Sequence, residues 1–82
     1  MSEEVKYKGF VIEADPELLD TGRWSTFVEI HRRSGSRVSS RVFREYPIYD
    51  TREEAITGCL EFGKRIIDGE FPDLIKKLPR IL

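Results

Sequence analysis

The chain has 82 residues, 39% of them hydrophobic and 35% charged, with a formal net charge of −1 and one cysteine. That composition excludes a disordered polyelectrolyte and an internal disulfide framework, and no apolar run approaches the roughly 20 residues of a membrane span. It predicts a single domain over 1–82, with a core at 6–69 and an apolar tail at 70–82. This is close to the size at which one core is only just sufficient. The acidic, polar start Met1-Ser2-Glu3-Glu4 is unlike a signal peptide, so the expected location is the cytoplasm.

In chain order, Tyr7 to Glu13 is expected to be a strand, with Phe10 and Ile12 on one face and Tyr7, Gly9 and Val11 on the other. Asp15-Pro16 opens a polar connection that runs to Thr21-Gly22. A second strand, 23–32, alternates Trp24, Thr26, Val28 and Ile30 against Ser25, Phe27, Glu29 and His31. Ser34-Gly35-Ser36 then forms a hairpin turn, and 37–44 returns as a third strand. In that strand Val38, Ser40 and Val42 are assigned to the core side, with Arg37, Ser39, Arg41 and Phe43 opposite. Glu45 to Tyr49 is an irregular link, because Pro47 removes a ladder donor.

Thr51-Arg52-Glu53-Glu54 matches a capping box, in which Thr51 caps the Glu54 amide and Glu54 reaches back to the Thr51 amide. A helix over 52–68 follows, with Ala55, Ile56, Cys59, Leu60, Phe62, Gly63, Ile66 and Ile67 as its apolar stripe. Gly63 lies within that stripe and is expected to let the helix approach the sheet closely. Gly69 supplies a left-handed C-terminal residue. Beyond it Phe71, Leu74, Ile75, Leu78, Ile81 and Leu82 make a short helical tail ended by Pro79, too apolar to float in water. It is expected to dock on its own domain, across the second sheet face, with a dimer seam as the alternative. The expected fold is therefore α+β: a three-stranded antiparallel meander packed on one C-terminal helix, with a short apolar helical tail.

Charge is distributed unevenly. Residues 1–20 carry a net −4, residues 21–44 a net +5 and residues 45–82 a net −2. The basic block suggests a binding surface made of Arg23, Phe27, His31, Arg32, Arg33, Arg37, Arg41, Phe43 and Arg44. Aromatic rings among arginines on an open sheet could stack bases and hold phosphates. The acidic remainder of the chain opposes tight binding to a polyanion, so nucleic acid ranks below a protein partner or a second copy.

Catalysis is not expected. His31 has no second histidine or cysteine at ligand spacing and is expected to be a surface strand residue rather than a metal ligand. Cys59 lies on the apolar stripe and is expected to be a buried, inert thiol. The serines have no adjacent base, and Gly63-Lys64-Arg65 lacks the glycine loop of a phosphate-binding motif. No cofactor, metal, membrane contact or small-molecule substrate is expected.

Lys8-Gly9 with Ile12, Gly22-Arg23-Trp24, Thr51 to Ile56, and Phe62-Gly63 with Ile66-Ile67-Asp68-Gly69 resemble an uncharacterised family of small bacterial domains. The resemblance covers 6–69 and implies a β-β-β-α domain with no assigned activity. A more distant likeness is to the plant ethylene-response-factor DNA-binding domain. Tyr7-Lys8-Gly9, Trp24, Glu29-Ile30, Tyr49-Asp50-Thr51 and Glu53-Glu54-Ala55 carry it. It implies Arg23, Trp24, Arg32, Arg37 and Arg41 as groove-facing residues, although the first strand continues as Phe10-Val11-Ile12-Glu13 instead of with arginines.

Overall fold

The computed structural model describes residues 3–78, with the side chains of Ser34, Glu45, Tyr46 and Pro47 outside the description. It contains β1 (Glu3–Tyr7), β2 (Phe10–Ala14), β3 (Glu17–Leu18), β4 (Trp24–Ser34), β5 (Arg37–Tyr49), α1 (Arg52–Ile67) and α2 (Pro72–Ile75). The architecture is the expected antiparallel sheet packed on a C-terminal helix, with a short second helix at the end. The terminal Pro79, Ile81 and Leu82 lie outside the described residues.

The first expected strand is in fact a hairpin. Lys8 (φ 49°) and Gly9 (φ 85°) both occupy the left-handed region, which a two-residue turn between twisted strands requires. The turn adds β1 to the sheet and pairs Tyr7 with Phe10. Directly opposed residues share a face, so Tyr7 joins Phe10 on the helix side instead of facing away from it.

β2 and β3 together form one strand interrupted by a proline. The register against β4 runs unchanged from Val11↔His31 through Ala14↔Val28 to Leu18↔Trp24. Asp15 N–H still donates to the Phe27 carbonyl at 3.0 Å. Pro16, buried opposite Thr26, is the position with no donor to give. The polar connection is accordingly shorter than expected, and it closes when Leu19 N–H reaches the Arg23 carbonyl at 2.7 Å.

The β4–β5 hairpin reverses the expected facing of β5. Gly35 (φ 60°) and Ser36 form a two-residue loop, so Ser34 pairs with Arg37, Val28 with Phe43 and Glu29 with Val42. Phe43 therefore enters the core at 5% exposure, while Val38 (53%) and Val42 (49%) face solvent. β5 also runs on through Pro47 to Tyr49 instead of ending at Arg44, with a register shift between Thr26 and Trp24 that absorbs the extra residues.

Ile12, Ala14, Val28, Ile30 and Phe43 of the sheet meet Ala55, Cys59 and Ile66 of α1 in the core, flanked by half-buried Ile56, Leu60, Phe62 and Ile67. A Cβ at Gly63 would lie 2.6 Å from Ile12 Cγ2, so the close approach expected of Gly63 is present. At Gly58 the Tyr49 phenol occupies the place a Cβ would take.

The helix starts as its sequence predicts, with one difference. Thr51 Oγ1 accepts the Glu54 N–H at 3.1 Å, but the Glu54 carboxylate takes the Thr51 hydroxyl (3.0 Å) instead of the Thr51 amide. The helix ends in a Schellman turn through Gly69 (φ 85°). Gly69 N–H donates to the Ile66 carbonyl and Glu70 N–H to the Arg65 carbonyl. That turn sends the tail back along α1, where the Phe71 ring meets Phe62 edge-on at 5.4 Å. Leu74 and Leu78 pack at the margin of the core. The described part of the tail, through Leu78, thus docks on its own domain, but against α1 and not on the second sheet face.

Candidate functional site

Register places eight of the nine residues of the basic segment, all but Arg23, which precedes β4. Phe27, His31, Arg33 and Arg44 alternate onto the sheet face away from the helix, whereas Arg32, Arg37, Arg41 and Phe43 fall on the helix side. Phe27 and Phe43 therefore do not share a stacking surface. Several of the arginines are already engaged. Arg23 pairs with Asp50 at 3.2 Å, and Arg44 lies 4.9 Å from the centre of the Phe27 ring with Glu17 at 3.8 Å. Arg32 covers Phe10 at 4.9 Å. Among the described residues Arg33, Arg37 and Arg41 make no ion pair. All three stand at the outer end of the β4–β5 hairpin.

That hairpin has an open side. β5 pairs with β4 on one edge, and among the described residues its other edge pairs with no strand. Thirteen residues of backbone therefore present alternate N–H and C=O groups outward, beside exposed Val38, Val42 and Ile48.

The face away from the helix is more acidic than the sequence suggests. Pairing sets Glu4 opposite Glu13 and Glu13 opposite Glu29, a row of carboxylates across three neighbouring strands. His31 sits beside this row, half-buried. Its Nε2 is 3.1 Å from Glu13 Oε1 and 3.9 Å from Glu29 Oε1, and its Nδ1 is 2.7 Å from Ser40 Oγ. A hollow of ≈ 750 Å³ lies over this region, and its walls include Lys6, Val11, Glu13, His31, Arg33 and Val38. Reading residues singly missed the cluster, because only the β2–β4 register brings Glu13 to His31.

A second group of polar residues joins the β1–β2 turn to the end of α1. The Tyr7 hydroxyl donates to both Asp68 oxygens (2.9 and 2.8 Å), and Lys8 Nζ lies 2.5 Å from Asp68 Oδ1. The Lys8 and Tyr7 hydrogen bonds hold the Asp68 carboxyl below its ordinary range. The hydrogen bond to Asp68 is also the main cause that pushes both the Tyr7 phenol and the Lys8 ammonium up. Cys59 is fully buried as expected, and burial pushes its thiol up, away from the reactive thiolate. A second hollow, ≈ 650 Å³, lies between α1, α2 and the end of β5, with Tyr49, Gly58, Phe62 and Phe71 in its walls.

No helix among the described residues is long and apolar enough to cross a membrane. The chain belongs to the family described as "Domain of unknown function (DUF6566)", which matches residues 1–78. No curated protein and no solved structure matches it.

Proposed function

For this member of a family without an assigned activity, we propose a non-catalytic binding module that takes an acidic, extended segment of a partner protein along the open edge of β5. The observation that carries the reading is a coincidence among the described residues. An unpaired thirteen-residue edge lies beside three arginines, Arg33, Arg37 and Arg41, that make no ion pair there. An added strand completes the ladder through main-chain hydrogen bonds, while pockets and charges at alternate positions select its sequence. Charged side chains also guard an edge against indiscriminate pairing, and arginines do so for every occupant except an acidic one.

Nucleic acid is the weaker alternative, because the arginines divide between two faces and the glutamate row lies on the face that carries Phe27. The ethylene-response-factor likeness meets the same difficulty: Arg32, Arg37 and Arg41 lie on the helix side. The reading fits a small cytoplasmic protein of bacterial type.

Fluorescence anisotropy with a labelled peptide of alternating Glu and Val, against single- and double-stranded oligonucleotides at matched salt, tests it. The peptide should bind, and charge reversal at Arg37 and Arg41 should abolish binding without loss of fold. Tighter binding to either oligonucleotide would refute the assignment. A stable dimer in sedimentation equilibrium that the same reversal dissociates would give the edge to a second copy instead.

A further inference from the structure

The row Glu4–Glu13–Glu29 is an unfavourable arrangement, since like charges directly opposite one another across a sheet are destabilising. Beside it His31 directs Nε2 between two of these carboxylates. The Nε2 of His31 and one oxygen each of Glu13 and Glu29 all lie within 4.8 Å of one another. We propose that these three residues form a site for a divalent transition-metal ion of the zinc class.

Three features of the site support this. First, the spacing fits. Zinc held at about 2.1 Å from nitrogen and oxygen donors in tetrahedral geometry separates those donors by about 3.4 Å. The separations from His31 Nε2, 3.1 Å to Glu13 and 3.9 Å to Glu29, straddle that value. The two carboxylate oxygens lie within 4.8 Å of each other, and side-chain rotation that draws them together completes the spacing.

Second, the imidazole is oriented for the task. Nε2–H donates to Glu13 Oε1 at 3.1 Å, and Nδ1 lies 2.7 Å from the Ser40 hydroxyl. An arriving ion displaces the Nε2 proton, and with Nδ1–H then donated to Ser40 Oγ the Nε2 lone pair is held toward the carboxylates. Metal-binding histidines are commonly fixed in this way, with the other ring nitrogen donating to an outer partner. An imidazole nitrogen with two carboxylate oxygens suits zinc, copper, iron or nickel rather than calcium or magnesium.

Third, the donors sit on the middle of strands and not on loops. Glu29 and His31 are two residues apart on β4 and so share a face, and Glu13 comes from the paired β2. The side chains are only 22–32% exposed, which strengthens their interaction with a cation relative to a fully solvated face. Three protein ligands leave a fourth position open toward the hollow that also carries Lys6 and Arg33. None of the three ligands lies on the β5 edge or among the three arginines beside it, so Glu29→Gln and His31→Ala test the metal site without touching the peptide reading.

The test is titration of the full chain with Zn²⁺ by calorimetry and with Co²⁺ by visible absorption, at neutral pH in a non-chelating buffer. The expected result is saturation at one ion per chain, with the strong absorption of a four-coordinate Co²⁺ centre. His31→Ala should remove that absorption. Glu29→Gln, which keeps size and shape, should weaken binding by at least about tenfold while circular dichroism is unchanged. Ser40→Ala leaves all three ligands in place and should weaken binding by about tenfold through loss of orientation. Failure of the wild type to saturate at millimolar metal would overturn the proposal. So would wild-type affinity in Glu29→Gln or in a folded His31→Ala.

Discussion

Replacing Gly63 by alanine tests how closely α1 sits on the sheet. The new methyl would lie 2.6 Å from Ile12 Cγ2, 3.3 Å from Cδ1 and 3.4 Å from Cγ1. Ordinary carbon contacts fall at about 3.5–4.0 Å, so about 1 Å must open between two buried positions. Ile12 cannot easily give way: its Cγ2 branch is fixed by a stiff χ1, and the side chain is fully buried. Overpacking of this kind costs about 1–3 kcal/mol, and a severe overlap belongs in the upper part of that range. The gain in helix propensity offsets about 1 kcal/mol. The net loss should be about 1–2 kcal/mol, a fall in Tm of roughly 5–15 °C for a domain of this size.

Urea or thermal unfolding followed by circular dichroism measures it. Ile12→Leu supplies the control, because it moves the branch from Cβ to Cγ and removes the methyl in question. In that background Gly63→Ala should be neutral or stabilising. A Gly63→Ala protein as stable as wild type, or one whose loss is undiminished in the Ile12→Leu background, would refute the reasoning.

Thr51→Ala removes the acceptor for Glu54 N–H and should cost about 1 kcal/mol by urea titration. Phe71→Ala deletes the edge-on contact with Phe62 and should lower stability by about 1–3 kcal/mol, with the sedimentation coefficient of the protein unchanged. Asp68 has a depressed folded pKa, so its contribution is present above the ordinary aspartate range and fades as pH falls through it. Asp68→Asn should therefore differ from wild type at neutral pH and converge with it toward pH ~3, read from urea midpoints across that range. Tyr7 and Lys8 have raised values, so the same linkage in the wild type weakens above about pH 10.

The helix was readable because its signals are local. Thr51, the 55–67 stripe and Gly69 each act within a turn or two, and Gly63 declares itself by interrupting an apolar face. Sheet facing was less readable, since it depends on turn length counted to the residue. Taking Ser34-Gly35-Ser36 as a three-residue turn leaves the phase of β5 open, and its two valines then look like core. A two-residue loop at Gly35-Ser36 fixes Ser34↔Arg37 and, six residues on, Val28↔Phe43. Lys8-Gly9 escaped notice for a different reason: a lysine at φ 49° is an uncommon choice for the first position of such a turn. The Glu13–Glu29–His31 cluster follows from pairing alone, because no spacing within β2 or β4 announces it.

The sheet is a meander in which every long pairing joins neighbours in sequence, and this has a consequence for the order in which the protein folds. The β1–β2 and β4–β5 turns each close over two residues, so their hairpins incur little loop entropy and can zip early. The contact between Tyr7 and Asp68 spans 61 residues and needs both the first hairpin and the finished helix in place. It belongs to the last step of assembly. Substitutions at Tyr7 or Asp68 should then speed unfolding and leave the refolding arm of a chevron plot nearly unmoved. Changes at Gly35, in the turn of the long β4–β5 hairpin, should instead slow refolding.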